Sequence, residues 1–248
     1  MRMLGAVLIV VALTVSSEAQ TSPHWSVRLE KAALDGATRD LMAIRADLQK
    51  QVAAAGAGEA PIRYALAYAS FRMVNLPDVP AAERKDLLSD AVTQLQDVIK
   101  KNANDAEAHA LLGVVYGLQI AESPIIRGMT LGPRATAALE RAAEIESGNP
   151  RVFLVQGISA FNTPAMFGGG TDKAERLLRQ SLDRFAAEPA DKPWPNWGRF
   201  DAHVWLGQAL HQRGDRAGAR AEYDQARSLA PSSGWLRYVL MPALEAKK

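Results

Sequence analysis

The sequence predicts an all-α fold, a right-handed solenoid of helical hairpins with loop insertions between paired helices and a closing C-terminal helix. Apolar residues recur at helical spacing, as in Ala91, Leu95 and Val98. Alanine is abundant and β-branched residues are few after the first fifteen positions, a bias that favours helices. No sustained alternation of apolar and polar residues indicates strands. The 248 residues are enough for a short repeat array with a core.

The first nineteen residues have the pattern of a secretory signal peptide. Arg2 precedes an apolar or neutral run over 3–15, and small residues stand at Ser17 and Ala19. We therefore expect an exported, periplasmic protein that begins at Gln20 and has no membrane span after cleavage. The alternative is an uncleaved anchor, although the run falls short of the ~20 residues that a spanning helix needs.

The clearest hairpin lies near the C-terminus. Leu206-Gly207 is followed by Gly214-Asp215 and then by Ala219, Tyr223, Ala226 and Pro231. This stretch resembles a tetratricopeptide (TPR) repeat, a helix–turn–helix unit of about 34 residues. In that pattern glycine and alanine stand where the two helices cross closely, the aromatic residue fills the gap beside them, and proline begins the next unit.

The same register recurs upstream, in Gly113, Tyr116 and Ala135 and again in Gly157 and Ala174. Ala91 and Gly113 are 22 positions apart, and so are Ala135 and Gly157. This equal spacing predicts four repeats in an array over 60–248, after a helical hairpin at 20–59. The repeats cover approximately 61–103, 106–147, 150–185 and 200–231, and a capping helix covers 233–245. The resemblance implies a divergent secreted or periplasmic bacterial TPR protein.

Three repeats carry insertions between their two helices, which we predict as loops at 75–85, 123–134 and 162–172. Insertions at equivalent points emerge on one face of a solenoid, and that face often binds partners. Candidate partner-binding residues in the second and third insertions are Arg127, Met129, Asn162, Met166 and Phe167. We nevertheless favour the interpretation that these loops fold over the array and seal its edge, and the partner-binding groove is the alternative.

A Pro- and Trp-rich segment at 188–198 interrupts the junction before the last repeat. Trp194 and Trp197, together with Trp205, would anchor an irregular crossing onto the array. Alternatively, Trp194 and Trp197 form an aromatic platform for a peptide or a sugar.

The glycine run at 168–170 precedes a helix and could present free amides to an anion. It lacks the Gly-Lys-Ser/Thr of a nucleotide-binding loop, so a flexible turn with Thr171 as N-cap is favoured. The stretch from Phe167 to Ala174 is also similar to a turn in TPR-like accessory components of periplasmic TRAP transport systems. That similarity implies a role in solute transport.

Composition and motifs argue against several classes of function. A formal net charge of +2 with interspersed signs does not indicate a nucleic-acid binder. There is no cysteine, and His203 and His211 lie eight positions apart, too far for one helix to clasp a metal ion. No Gly-x-Ser-x-Gly motif or similar catalytic signature occurs. We expect no enzyme activity, metal site or cofactor.

The function expected from these features is non-catalytic binding of a protein or peptide partner, in an adaptor or assembly role. TPR arrays commonly take peptides on their concave face, so the resemblance itself implies this role. The alternative is a small-ligand-binding or solute-transport accessory protein. A deep apolar pocket would favour the small ligand, and an open groove would favour the peptide.

Overall fold

The computed structural model describes residues 24–54, 59–122, 124–189 and 192–246. The predicted signal peptide lies outside these residues. Within them the chain is helical and contains no strand. The α-helices are α1 (His24–Asp35), α2 (Thr38–Ala54), α3 (Ala60–Met73), α4 (Ala81–Lys101), α5 (Ala106–Glu122), α6 (Pro124–Ile145), α7 (Pro150–Asn162), α8 (Thr171–Ala187), α9 (Arg199–Gln212), α10 (Arg216–Leu229) and α11 (Met241–Glu245). A 3₁₀ helix covers Ala165–Phe167 and a π-helical turn covers Leu236–Leu240.

Consecutive helices pair into antiparallel hairpins, and the hairpins stack into a solenoid. The first helices of successive hairpins, α1, α3, α5, α7 and α9, contact one another in that order. In the described part of the chain, the second helices make no comparable contacts with one another. The array therefore curves with the first helices on its inner face.

Small residues stand where paired helices cross, as the repeat pattern predicts. A Cβ atom added to Gly113 would lie 2.6 Å from Leu139, and one added to Gly157 would lie 2.7 Å from Leu178. At Gly207 the added atom would overlap the ring of Tyr223. Five other signature residues are buried or half-buried at the hairpin contacts: Tyr116, Ala135, Ala174, Ala219 and Ala226. Pro231, which follows α10, is exposed.

The second predicted loop insertion is helical. α6 runs from Pro124 through Pro133 without interruption, so residues 124–134 extend the second helix by three turns. Proline suits the first position of a helix, and packing against α5 compensates for the bond lost at Pro133. The Arg127 guanidinium fixes this extension because it donates to the Gln119 carbonyl at 3.2 Å. The first insertion is shorter than predicted, since α4 already begins at Ala81.

Two glycines of α5 provide a matched test of close helix crossing. Gly113→Ala should lower the free energy of unfolding by about 1–3 kcal/mol, because Leu139 and the backbone behind it must shift. Gly117→Ala should leave stability unchanged or raise it by up to about 1 kcal/mol, because nothing lies within 4 Å of the added atom. Urea unfolding followed by circular dichroism measures both. Equal effects of the two substitutions would contradict this packing.

Candidate binding surfaces

The turn between α7 and α8 is built by its glycines. Gly168 and Gly170 have φ of +82° and +104°, conformations that favour glycine. A Cβ atom at Gly169 would overlap the Thr163 carbonyl oxygen. The resulting 3₁₀ helix has no buried residue, and it leaves Met166 83% and Phe167 71% exposed. The turn thus holds two large apolar side chains in solvent.

The glycine amides do not form an anion site. Gly169 N–H donates to Pro164 O at 3.2 Å, and Gly170 N–H donates to Thr163 O at 2.9 Å. Since these amides are satisfied within the turn, they are not free for a ligand. The prediction of Thr171 as N-cap is also wrong, because Gly170 is the N-cap and Thr171 is the first residue of α8.

Two further apolar side chains are exposed on the extension of α6. Ile126 is 74% and Met129 is 82% exposed. They directly follow the connection inside the α5–α6 hairpin, and Met166 and Phe167 lie in the connection inside the adjacent α7–α8 hairpin. All four therefore lie toward one edge of the array. We call Ile126, Met129, Met166 and Phe167 the apolar edge. These four side chains do not seal the array, whereas Val79 in the first insertion is buried and Leu131 in the second packs against the core.

Two other predicted partner-binding residues are engaged within their own hairpins. Arg127 pairs with Glu122 at 2.7 Å and is half-buried. The side-chain amide of Asn162 donates to the Ile158 carbonyl at 2.8 Å and so satisfies the end of α7. The structure therefore brings Met129, Met166 and Phe167 to the edge and gives Arg127 and Asn162 structural contacts.

The segment before α9 crosses the inner face of the array. Trp197 is only 2% exposed, donates from its indole N–H to the Tyr64 hydroxyl at 2.9 Å, and packs on Tyr68 with ring centroids 5.1 Å apart. Trp194 is half-buried against Trp25 and Tyr68, at 5.6 Å and 5.3 Å. Trp197 is therefore an anchor and its prediction as a partner-binding residue is wrong. We call the described residues of this stretch, 188–189 and 192–198, the crossing segment.

The third tryptophan belongs to a different group of aromatic residues. The Trp205 ring makes edge contacts with Phe161 at 5.5 Å and with Trp235 at 6.1 Å. These contacts link α7, α9 and the residues after α10. The three tryptophans therefore do not form one platform.

Arg151, which is buried, holds the crossing segment, and Arg72, which is half-buried, lies close to it on the inner face; neither role was predicted from the sequence. Arg151, 1% exposed, pairs with Glu107 at 2.6 Å and with Glu188, and donates to the Trp197 carbonyl at 3.0 Å. Burial alone would lower the pKa of Arg151, but the two carboxylates hold it above its usual value. One signal was present, because Arg151 occupies the first turn of α7, where a cation is disfavoured by the helix dipole.

Arg72 joins the third helix to the ninth. Its guanidinium donates to both carboxylate oxygens of Asp201 at 2.9 Å and to the Ala33 carbonyl at 3.1 Å. Glu30 lies beside this pair and accepts a hydrogen bond from the Tyr68 hydroxyl at 3.0 Å. Burial raises the pKa of Glu30 to about 7; Arg72 opposes this rise and Asp201 adds to it.

No protein-family model matches the sequence, and a search of curated proteins finds no match. Solved structures are similar. The crystal structure of TTC0263, a TPR protein from Thermus thermophilus, matches with a TM-score of 0.62 and 17% identity over 89% of this chain and all of that one. This chain has a TPR-like fold.

A second solved structure is similar to this TPR-like array at higher identity. The HusA haemophore from Porphyromonas gingivalis matches with a TM-score of 0.61 and 25% sequence identity. The match covers 78% of this chain and 96% of HusA. Both similarities concern the arrangement of the helices, which is that of an all-α array of helical hairpins.

Membrane spans and metal centres are two other classes of feature to consider in the described residues. No helix there is long and apolar enough to cross a membrane. The same residues contain no group of three or more histidine, cysteine, aspartate or glutamate side chains placed to hold a metal ion.

Glu30 makes the stability of the array depend on pH. A carboxyl group whose folded pKa of about 7 exceeds the ordinary 4.5 stabilises the fold below pH 4.5, and this contribution is lost as the pH rises to 7. Glu30→Gln should therefore stabilise the protein, relative to wild type, by roughly 1–3 kcal/mol more at pH 8 than at pH 5. Urea unfolding at the two pH values measures this difference. The exposed Glu140→Gln is the control, and an equal pH profile for both variants would refute the assignment.

Proposed function

We propose that this chain is an exported, non-catalytic binding protein of the cell envelope that captures an apolar segment of a protein partner on its apolar edge. The observation that carries the proposal is the glycine turn after α7, which holds Met166 and Phe167 in solvent. Burial of such side chains would stabilise a fold by about 1.5–3 kcal/mol each. A rigid turn that forgoes this gain is consistent with a surface kept for a partner.

The chemistry of the edge fits an apolar protein surface. Methionine side chains are flexible and polarisable, so Met129 and Met166 can adapt to partners of different shape. Phe167 adds a rigid aromatic group of the kind that often dominates interface energetics. High exposure of all four residues indicates an open apolar surface, which is typical of a site for a protein partner.

The inner face is less suited to a peptide. Trp197, Trp194 and their aromatic neighbours occupy it where the crossing segment passes α3. An extended peptide along the whole inner face would have to displace a buried tryptophan and the ion pairs of Arg151. Export is supported by the signal-peptide pattern over 1–19.

Substituting the two exposed residues of the turn tests the proposal. Met166→Ser with Phe167→Ser should lower partner capture at least about tenfold, because hot-spot side chains carry ~2 kcal/mol or more each. Stability should hardly change, since neither side chain is buried. Crosslinking pull-down from periplasmic extract, with the chain from Gln20 as bait, measures capture by mass spectrometry.

A matched control removes similar apolar area from another place. Tyr238 and Val239, 70% and 54% exposed after α10, are replaced together by serine. We expect that wild type and this control capture the same partner and that the Met166/Phe167 variant does not. Equal capture by all three proteins, or by none, argues against the proposal.

A second candidate function is capture of haem or a related porphyrin, and the similarity to the HusA haemophore favours it. A flat apolar ring could lie across Met129, Met166 and Phe167. Absorbance titration with haemin and with metal-free protoporphyrin should then show saturable 1:1 binding that the Met166/Phe167 variant loses. Binding that the variant keeps would place the ligand elsewhere, and an unchanged spectrum would remove this candidate.

A further inference from the structure

The two ends of the solenoid meet at a seam. The Ser232 hydroxyl, which follows α10, donates to the Asp35 carboxylate at the end of α1. Nearby, Arg72 on α3 binds Asp201 on α9. The curved array is thereby closed by contacts between residues 129 and 197 positions apart in sequence.

A cleft with a volume of about 370 Å³ lies at this seam. We call it the seam cleft. Its apolar walls include Val27 and Leu34 of α1 and Leu229 of α10, and Asn196 of the crossing segment borders it. The Glu30 side chain reaches the same space, one helical turn from Val27 and Leu34. A volume in this range suits a small organic molecule.

The charged groups around Glu30, which lines the cleft, are unbalanced. Glu30 and Asp201 are two carboxylates beside a single guanidinium, that of Arg72. Arg72 gives its hydrogen bonds to Asp201 and to the Ala33 carbonyl. In the part of the chain that the structure describes, the Glu30 carboxylate accepts a hydrogen bond from Tyr68 alone. One negative charge is therefore left without a cation of its own.

The other charged groups near Glu30 do not supply that cation. Lys31 borders the cleft, but its ammonium is bound to Asp35 of the same helix at 2.5 Å. Arg151 of α7 acts on Glu30 only through space and is committed to Glu107 and Glu188. The residues that α10 and its following turn contribute are uncharged, from Leu229 to Ser232.

We propose that the seam cleft is a binding site for a primary amine carried on a small apolar body. The ammonium would bind the Glu30 carboxylate, where burial strengthens a charge-assisted hydrogen bond. The Asn196 side chain offers a further acceptor at the border of the cleft, and Val27, Leu34 and Leu229 would cover the hydrocarbon. This site is formed by residues other than the apolar edge and does not depend on the function proposed for that edge.

The charge state of Glu30 makes the site dependent on pH. Because burial raises the pKa of this carboxyl to about 7, it is ionised at pH 8 and mostly protonated at pH 5. A bound ammonium favours the ionised form, so binding near pH 7 should release a proton. Affinity for an amine should therefore fall by at least about tenfold between pH 8 and pH 5.

The experiment is calorimetric titration of the full chain at pH 8 with 2-phenylethylamine. The neutral 2-phenylethanol and the anionic 3-phenylpropionate have similar apolar bodies and serve as comparison probes. We expect saturable 1:1 binding of the amine and at least about tenfold weaker binding of the other two, since a charged hydrogen bond is lost. Equal binding of the alcohol, or no heat from the amine up to millimolar concentration, would overturn the proposal.

Three variants locate the amine. Glu30→Gln keeps the shape of the side chain and should weaken amine binding at least about tenfold. Val27 lies one turn from Glu30 on α1 and is 65% exposed, so a lysine is tolerated there. In Val27→Lys the lysine ammonium should compete with the ligand for the Glu30 carboxylate, which is retained. Glu140→Gln, far along the sequence on α6, should bind as wild type does.

Circular dichroism and urea unfolding establish that each variant is folded. If Glu30→Gln fails to fold, Val27→Lys still decides the question, because it leaves the network around Arg72 intact. If Glu30→Gln or Val27→Lys is folded and binds the amine with wild-type affinity, the amine binds elsewhere and the proposal is wrong.

Discussion

The ion pairs of Arg151 are the contact on which the course of the chain depends. A guanidinium that is 1% exposed is tolerated only with partners that replace its water, and here they are Glu107 on α5 and Glu188 at the start of the crossing segment. The same guanidinium holds the Trp197 carbonyl. Because one cation joins α5, α7 and the crossing segment, it determines where the chain leaves α8 and how it reaches α9.

That course has a consequence for binding. Trp197 enters the inner face beside Tyr64 and Tyr68, so the chain itself partly fills the inner face of the array. Apolar groups remain exposed elsewhere, in the connections inside two neighbouring hairpins. The α6 extension and the glycine turn reach this edge by different means, one as added helical turns and one as a rigid 3₁₀ turn. Both end with large apolar side chains in solvent.

The hairpins and their close contacts could be predicted because they depend on local spacing. A glycine stands wherever a paired helix approaches closely, at Gly113, Gly157 and Gly207. Such a regular pattern can be recognised in a single sequence. Gly132-Pro133 favours a loop at 123–134, whereas packing against α5 keeps residues 124–134 helical. Packing along a neighbouring helix can keep glycine and proline residues within a helix in spite of their low helix propensity.

The contacts across the array could not be predicted from spacing. Arg72 meets Asp201 over 129 positions, and Trp197 meets Tyr64 over 133. Neither pair has a periodic signature, because their distance in sequence depends on the accumulated curvature of several hairpins. The exposure of loop residues could not be predicted from spacing either. Trp197 and Phe167 are both aromatic residues outside the α-helices, yet Trp197 is buried and Phe167 is 71% exposed.

The two arginine networks of the inner face differ in their balance of cations and carboxylates. This difference distinguishes a structural contact from a candidate binding site. Around Arg151, Lys192 also pairs with Glu188 at 3.5 Å, so two cations meet the two carboxylates of Glu107 and Glu188. Around Arg72 one cation meets two carboxylates. The balanced network has no charge left for a ligand and acts as a clamp. The unbalanced one leaves Glu30 beside a cleft, where only a proton or a bound cation can neutralise it.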